Sequence, residues 1–198
     1  MTPFAPLRPL LDTPERVEAA MPQSHGRAAV AITLRVDQDR PELLLMRRAE
    51  REDDPWSGQV SLPGGHAEEG DLDLVATAIR ETREELGIEL DRDGGLLGAL
   101  EPIQARARGG LMDTTIAPFV FASEDEQGAT LGPEAVEAFW LPLQPVLQGE
   151  LNGRFTYRGG DVVRLLPCWR FEGHTVWGLT HRIVSDFLER AGDMLAGM

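Results

Sequence analysis

Apolar residues are spaced along this chain in two different rhythms. Residues 28–36 (Ala-Ala-Val-Ala-Ile-Thr-Leu-Arg-Val) and 42–48 are β-branched or apolar runs flanking a polar turn at 37–41, and together they predict a hairpin. Leu72, Val75, Ile79 and Leu86 instead recur at helical spacing; at roughly 100° per residue they make one stripe, with Thr82 at its edge. They predict a helix over residues 72–88, with Asp71 placed to interact with the helix dipole and Gly87 as its C-cap. On the opposite side of that helix, Glu81, Glu84 and Glu85 crowd within an arc of roughly 100°.

The remaining elements follow in order. Residues 1–12 read as an arm, and Thr13-Pro14 as the cap and first position of a short helix ending near Met21. Residues 49–57 read as a loop and 58–62 as a short strand. A strand over 96–104 is interrupted by Pro102, and 105–110 is an Arg/Gly loop. Strands are expected over 114–122, 135–141, 154–158 and 162–171. An acidic loop spans 123–128, a helical turn 143–147, and an amphipathic helix 176–195, with Leu179, Ile183, Val184, Phe187 and Leu188 on one face. Strands, one central helix, more strands and a terminal helix make an α+β chain, layered α/β/α about a mixed sheet. We divide it into residues 1–24, an arm with a short helix, and residues 25–196, a single domain.

Composition narrows the function. The 198 residues suffice for one domain with a substantial core. A net charge of −14 argues against a nucleic-acid partner, and no apolar stretch is long enough to cross a membrane. The single cysteine, Cys168, lies in an apolar strand and reads as a core residue of a protein from a reducing, cytoplasmic compartment. The N-terminal segment and the apolar face of the last helix offer surface for a homodimer or for closing the monomer core.

Like charges three and four residues apart repel by about 0.2–0.5 kcal/mol per pair on an exposed helix, so the glutamate cluster calls for a cation. Carboxylate oxygens suit Mg²⁺ or Mn²⁺, and the absence of His and Cys from the cluster argues against zinc. The competing reading is a solvated acidic face balanced by Arg80 and Arg83.

The stretch Gly64-Gly65…Asp71…Arg80-Glu81-Thr82-Arg83-Glu84-Glu85-Leu86-Gly87-Ile88 resembles the Nudix hydrolase signature, G-x5-E-x7-R-E-U-x-E-E-x-G-U with U apolar. Asp71 replaces the first acid, eight residues instead of seven separate it from Arg80, and Thr82 replaces an apolar residue. That expanded spacing is similar to the coenzyme A pyrophosphatase branch. Residues 43–49, 58–65, 97–102, 117–120 and 176–180 resemble that branch as well, so the likeness spans residues 27–190. In the loop before Gly58 the branch carries an arginine where Asp53 stands here, with Arg51 nearby.

The resemblance implies a Nudix-type sandwich and a Mg²⁺- or Mn²⁺-dependent pyrophosphohydrolase that cleaves coenzyme A or acyl-CoA to 4′-phosphopantetheine and 3′,5′-ADP. Two alternatives stand beside it: hydrolysis of ADP-ribose, NADH or oxidised dNTPs, and a non-catalytic nucleotide sensor. It implies metal ligation by Glu81, Glu85 and the Gly65 carbonyl. Glu84 either ligates a second ion or orients water, and Arg80 pairs with a loop carboxylate. A later acid completes such sites, and Glu124, Asp125, Glu126, Glu134 and Glu137 are the candidates. Arg47, Arg51, Arg106 and Arg108 are candidates for phosphate contacts and Trp56 for stacking on a base. His66 is a candidate for the site lining, and Trp140, Trp169 and Trp177 are expected in the core.

Overall fold

The computed structural model describes residues 2–22, 26–51, 56–107, 110–123, 128–159 and 162–198. A 3₁₀ turn (Ala5–Leu10) and α1 (Pro14–Ala20) lead into β1 (Gly26–Asp37) and β2 (Arg40–Arg48). Then follow β3 (Val60–Ser61), β4 (Gly64–His66), α2 (Leu74–Leu86), β5 (Leu96–Ala99), β6 (Ile103–Ala107) and β7 (Gly110–Ala122). The chain continues with β8 (Ala135–Pro142), α3 (Leu143–Leu147), β9 (Asn152–Gly159), β10 (Val162–Phe171), β11 (His174–Trp177) and α4 (Gly178–Ala196).

Eight strands form a mixed sheet along the path β3-β2-β1-β7-β5, with β4 beside β1, β6 beside β7 and β8 beside β2. β1 and β7 are parallel and every other pairing is antiparallel. Alternation along the strands fills two layers. Ile32, Leu34, Leu43, Leu45 and Val120 face one core with Ile183, Val184 and Phe187 of α4. Ala29, Ala31, Leu44, Met46, Phe119 and Phe121 face the other, with Leu74, Val75, Ala78 and Leu86 of α2. This is the expected helix–sheet–helix sandwich. Beside it, β9, β10 and β11 form a separate antiparallel sheet in the order β11-β10-β9.

Several boundaries differ from expectation. The central helix starts two residues late, because Asp73 takes an extended backbone and accepts the Ala76 N–H at 2.8 Å as N-cap. Leu72 therefore lies outside the helix and is 87% exposed. Gly87 closes it as expected, with φ +66°. The hairpin turn shrinks to Gln38 and Asp39, both with positive φ. β6 continues through residues expected as loop: Ile103 and Ala105 are both buried, and the strand pairs with β7 through Ala107, with a register irregularity between Gln104 and Arg106. Val176 and Trp177 end a strand, and α4 begins only at Gly178. The N-terminal segment contributes to the interior: Phe4 and Leu7 lie in the α4-side core and Val17 and Met21 in the other. The α4 face is buried in that same core, so in this chain both surfaces close the monomer interior. Cys168 and Trp169 are buried, whereas Trp140 is half-buried beneath the Arg35 guanidinium at 4.2 Å. No helix among the described residues is long and apolar enough to cross a membrane.

Candidate active site

Gly64 and Gly65 occupy β4, the short strand laid against β1, with Gly65 opposite Ala29 and Gly64 opposite Val30. A Cβ at Gly64, where φ is +148°, would stand 2.2 Å from the Ala29 carbonyl oxygen. A Cβ at Gly65 would stand 2.4 Å from Glu81 Oε1. The glycine pair thus lets α2 bring its carboxylates against the strand backbone, which no side chain there would permit.

Three carboxylates occupy three environments. Glu85 is buried, and its Oε2 accepts the Gly64 N–H at 2.9 Å. Its Oε1 is buried with no hydrogen-bond partner among the described residues, and the Arg48 guanidinium stands 3.9 Å away. Burial pushes the Glu85 carboxyl up to about 8, against a lowering from the Gly64 N–H. Burial also raises Glu81, partly offset by Arg80. Glu84 is exposed at the helix surface.

Arg80 locks the loop to the helix. Its Nε and Nη2 each reach an Asp71 carboxylate oxygen at 3.0 Å, and Nη2 also donates to the His66 carbonyl at 3.0 Å. Nη1 lies 3.1 Å from both Glu81 and Glu84, so one guanidinium holds two acids that would otherwise repel. Asp71 further accepts the Thr77 hydroxyl and the Glu68 N–H, and Arg80 holds it well below the usual carboxylate range. The expected loop carboxylate is therefore Asp71, which serves Arg80 while Asp73 caps the helix. Thr82, in the position of an apolar residue, is fully buried and satisfies its hydroxyl by donating to the Ala78 carbonyl at 2.7 Å.

A loop from another part of the chain is stitched to the end of α2. Thr130 N–H donates to the Leu86 carbonyl and Gly132 N–H to the Glu85 carbonyl, both at 2.8 Å. Two of the helix's terminal acceptors are thereby satisfied. A Cβ at Gly132 would stand 2.1 Å from the Glu84 carbonyl oxygen, so only glycine fits the approach. Two residues on, Glu134 lines the same cleft, near enough to raise both Glu81 and Glu85, and takes an ion pair from Arg51 at 3.0 Å.

The cleft measures about 1660 Å³. Gly65, Arg80, Glu81, Glu84 and Glu85 line one side together with Trp56 and His66. His66 sits 3.4 Å from the Thr114 hydroxyl. Arg47 is not on the wall but pairs with Glu137 at 3.5 Å, while its neighbour Arg48 lines the cleft instead. Glu137 also meets His174 at 3.3 Å and lies off the wall. Arg108, Glu124, Asp125 and Glu126 lie outside the described residues, as does the Arg106 side chain.

Sequence reasoning missed the opposite wall. Phe155, Tyr157, Arg158, Arg164, Arg182 and Trp177 all line the cleft, and Trp177, expected in the core, stacks on Phe155 with ring centroids 4.1 Å apart. The available signal was alternation: Phe155 and Tyr157 on β9 share a face with Leu166 and Arg164, their partners on β10.

The donor set fits a hard divalent cation. Glu85 presents a buried carboxylate oxygen without a hydrogen bond among the described residues, and Glu81 is pressed against a side-chain-free backbone. Among the described residues no three acidic, imidazole or thiolate groups form a closed cage, since Arg80 holds Glu81 and Glu84.

Comparison with known proteins agrees with this geometry. The family model for the NUDIX domain matches residues 24–163. The mitochondrial coenzyme A diphosphatase NUDT8 of Mus musculus is 32% identical over 169 residues, 83% of this chain and 78% of the relative. The uncharacterized Nudix hydrolase NudL of Citrobacter koseri is 31% identical over 190 residues, 89% of this chain and 92% of the relative. The crystal structure of a MutT/nudix family protein from Enterococcus faecalis shares the fold, with TM-score 0.58 and 17% identity over 90% of this chain and 66% of that one.

Proposed function

The chain belongs to the Nudix hydrolase family, and on that premise we propose that it is a divalent-metal-dependent pyrophosphohydrolase of coenzyme A or its acyl thioesters. The observation that carries the metal-site reading is Glu85, buried beside the glycine pair with one carboxylate oxygen lacking a hydrogen bond among the described residues. The substrate reading draws support from the coenzyme A diphosphatase relative and from the one-residue expansion between Asp71 and Arg80.

Glu81, Glu85 and the Gly65 carbonyl would hold the ion. When bound, Mg²⁺ or Mn²⁺ supplies Lewis acidity and positive charge against the diphosphate. The chain's own residues do the rest. Arg80 fixes Glu81 and Glu84 in register and ties loop 66–71 to α2, so the acids are positioned before substrate arrives. Arg51 holds Glu134 at the cleft, where its carboxylate takes the proton of the attacking water. Attack on one phosphorus breaks its bond to the bridging oxygen, which leaves with the other phosphate, giving 4′-phosphopantetheine and 3′,5′-ADP.

The test is turnover of coenzyme A, acetyl-CoA, ADP-ribose, NADH and oxidised dNTPs side by side with Mg²⁺ and with Mn²⁺. Coenzyme A and its thioester are expected to have the highest kcat/KM. If they rank last, the substrate reading is wrong while the family stands.

A further inference from the structure

Every one of the 19 basic residues in this chain is arginine, set against 33 acids. Most of the described arginines are engaged by a carboxylate or a carbonyl: Arg16, Arg35, Arg47, Arg51, Arg80 and Arg92, for example. Arg158, Arg164 and Arg182 differ. Among the described residues none of the three has an ion-pair or hydrogen-bond partner, yet all three line the cleft that holds the carboxylates. They come from three elements. Arg164, opposite Tyr157, shares the face of the aromatic residues, Arg158, opposite Val163, alternates to the other face at the Gly159/Val162 end of the β9–β10 hairpin and meets the cleft from its rim, and Arg182 projects from the first turns of α4.

In a protein of net charge −14, unneutralised cations gathered on one wall create a local positive potential against an acidic background. Arginine's planar fork suits phosphate oxygens. The same wall carries an aromatic shelf, with Trp177 stacked on Phe155 and Tyr157 tilted at 5.8 Å from Trp177. A flat ring beside a multiply charged anion is the chemistry of a nucleotide bearing a phosphate monoester.

We infer that Arg164 and Arg182, with Arg158 at the rim, form a subsite for a phosphomonoester of the substrate's nucleoside, distinct from the diphosphate being cleaved, with the base stacked on the Trp177 shelf. This rests on the reading of the protein as a coenzyme A pyrophosphohydrolase and names how it selects coenzyme A, whose ribose carries a 3′-phosphate. The carboxylate wall handles the scissile diphosphate, and the arginine wall reads the group that ADP-ribose and NADH lack.

Two measurements test it. In the first, kcat/KM is determined for coenzyme A and for dephospho-CoA. The wild type is expected to prefer coenzyme A, and Arg164→Ala and Arg182→Ala each to lower that preference about tenfold, mainly through KM, with Arg164→Lys restoring part of it. In the second, 3′,5′-ADP and 5′-AMP are titrated calorimetrically against the wild type and both alanine variants, with no turnover required. Tighter binding of 3′,5′-ADP that depends on the arginines supports the subsite even if coenzyme A is not hydrolysed, an outcome that would reject only the substrate reading. If coenzyme A is hydrolysed and the preference over dephospho-CoA is unchanged in both alanine variants, the subsite is overturned and the substrate reading survives. Equal binding of the two nucleotides by the wild type also overturns it.

Discussion

Glu85→Gln separates what the buried carboxylate costs the fold from what it contributes to metal binding. The substitution keeps size and an acceptor for the Gly64 N–H, now 2.9 Å from Glu85 Oε2, and removes the charge. Without a cation, burial holds the Glu85 carboxyl up to about 8, against an ordinary value of 4.5. A folded-state value above the unfolded one means the native protein keeps its proton longer. The associated stability is fully present below pH 4.5 and is lost as pH rises toward 8. At roughly 1.4 kcal/mol per pH unit, the wild type gives up about 3 kcal/mol between its unfolded value and pH 7, a ceiling that relaxation of the site lowers. In EDTA, urea denaturation should therefore find Glu85→Gln more stable than wild type by about 2 kcal/mol at pH 7 and nearly equal at pH 4.5. Adding Mg²⁺ should stabilise the wild type and leave the variant almost unmoved. A variant less stable than wild type in EDTA at pH 7, or a difference independent of pH, would refute the claim that burial outweighs the partners of this carboxylate in the fold. In the presence of Mg²⁺ the same variant should lose turnover by a factor on the order of 10² or more.

The other carboxylates and the glycine pair give sharper contrasts. Gly65→Ala places a methyl 2.4 Å from Glu81 Oε1, and is expected to weaken Mg²⁺ activation at least tenfold in a metal titration of turnover while the far-UV CD spectrum stays native. Glu134→Gln should lower kcat by about 10²-fold with KM little changed, and Arg51→Ala by less, because Arg51 only positions Glu134; equal losses in both variants would contradict that order. Asp71→Asn removes the charge paired with Arg80 and should cost about 1–3 kcal/mol in chemical denaturation, lost below the ordinary carboxylate range where the wild type also protonates. Thr82→Val keeps the shape of a fully buried side chain and discards a hydroxyl that bonds only its own helix, so stability should change by less than about 1 kcal/mol.

The layered fold was legible because the strands and α2 carry unambiguous periods. Ile32, Leu34, Leu43 and Leu45 alternate with Ala31, Leu44 and Met46, and the two sets became the two cores. Boundaries were misread where a local hydrogen bond outranked the period. Leu72 fits the helical stripe by spacing, yet Asp73 terminates the helix before it, because a carboxylate accepting the Ala76 N–H is worth more there than one more apolar contact. The 1–12 segment was left open between a dimer surface and closing the core for a different reason. Its prolines signal an irregular chain, but irregular backbone still buries side chains, and Phe4 and Leu7 end up at 1% and 0% exposure.

In the candidate site, the clustering of the α2 acids was legible because they are close in sequence and a helix of known pitch fixes their relative directions. The half contributed by β9, β10 and α4 depends on how the small sheet docks against the large one, which no local spacing encodes. Arginine choice shows the limit well. Arg47 and Arg48 are adjacent and chemically identical, yet successive strand residues point to opposite faces, and a register irregularity between them at the β8 pairing sets which one meets Glu85. Glu134 resolves the same way. In sequence it was one of five acids with nothing to rank it, and its position follows from Thr130 and Gly132 satisfying the last carbonyls of α2. The helix that carries the candidate metal-binding acids therefore also fixes, through the carbonyls at its terminus, where Glu134 stands. That predicts coupling between the two: Gly132→Ala, by forcing the loop off the Glu84 carbonyl, should lower turnover through Glu134 and should do so far less in a Glu134→Gln background, a double-mutant cycle that additive losses would contradict.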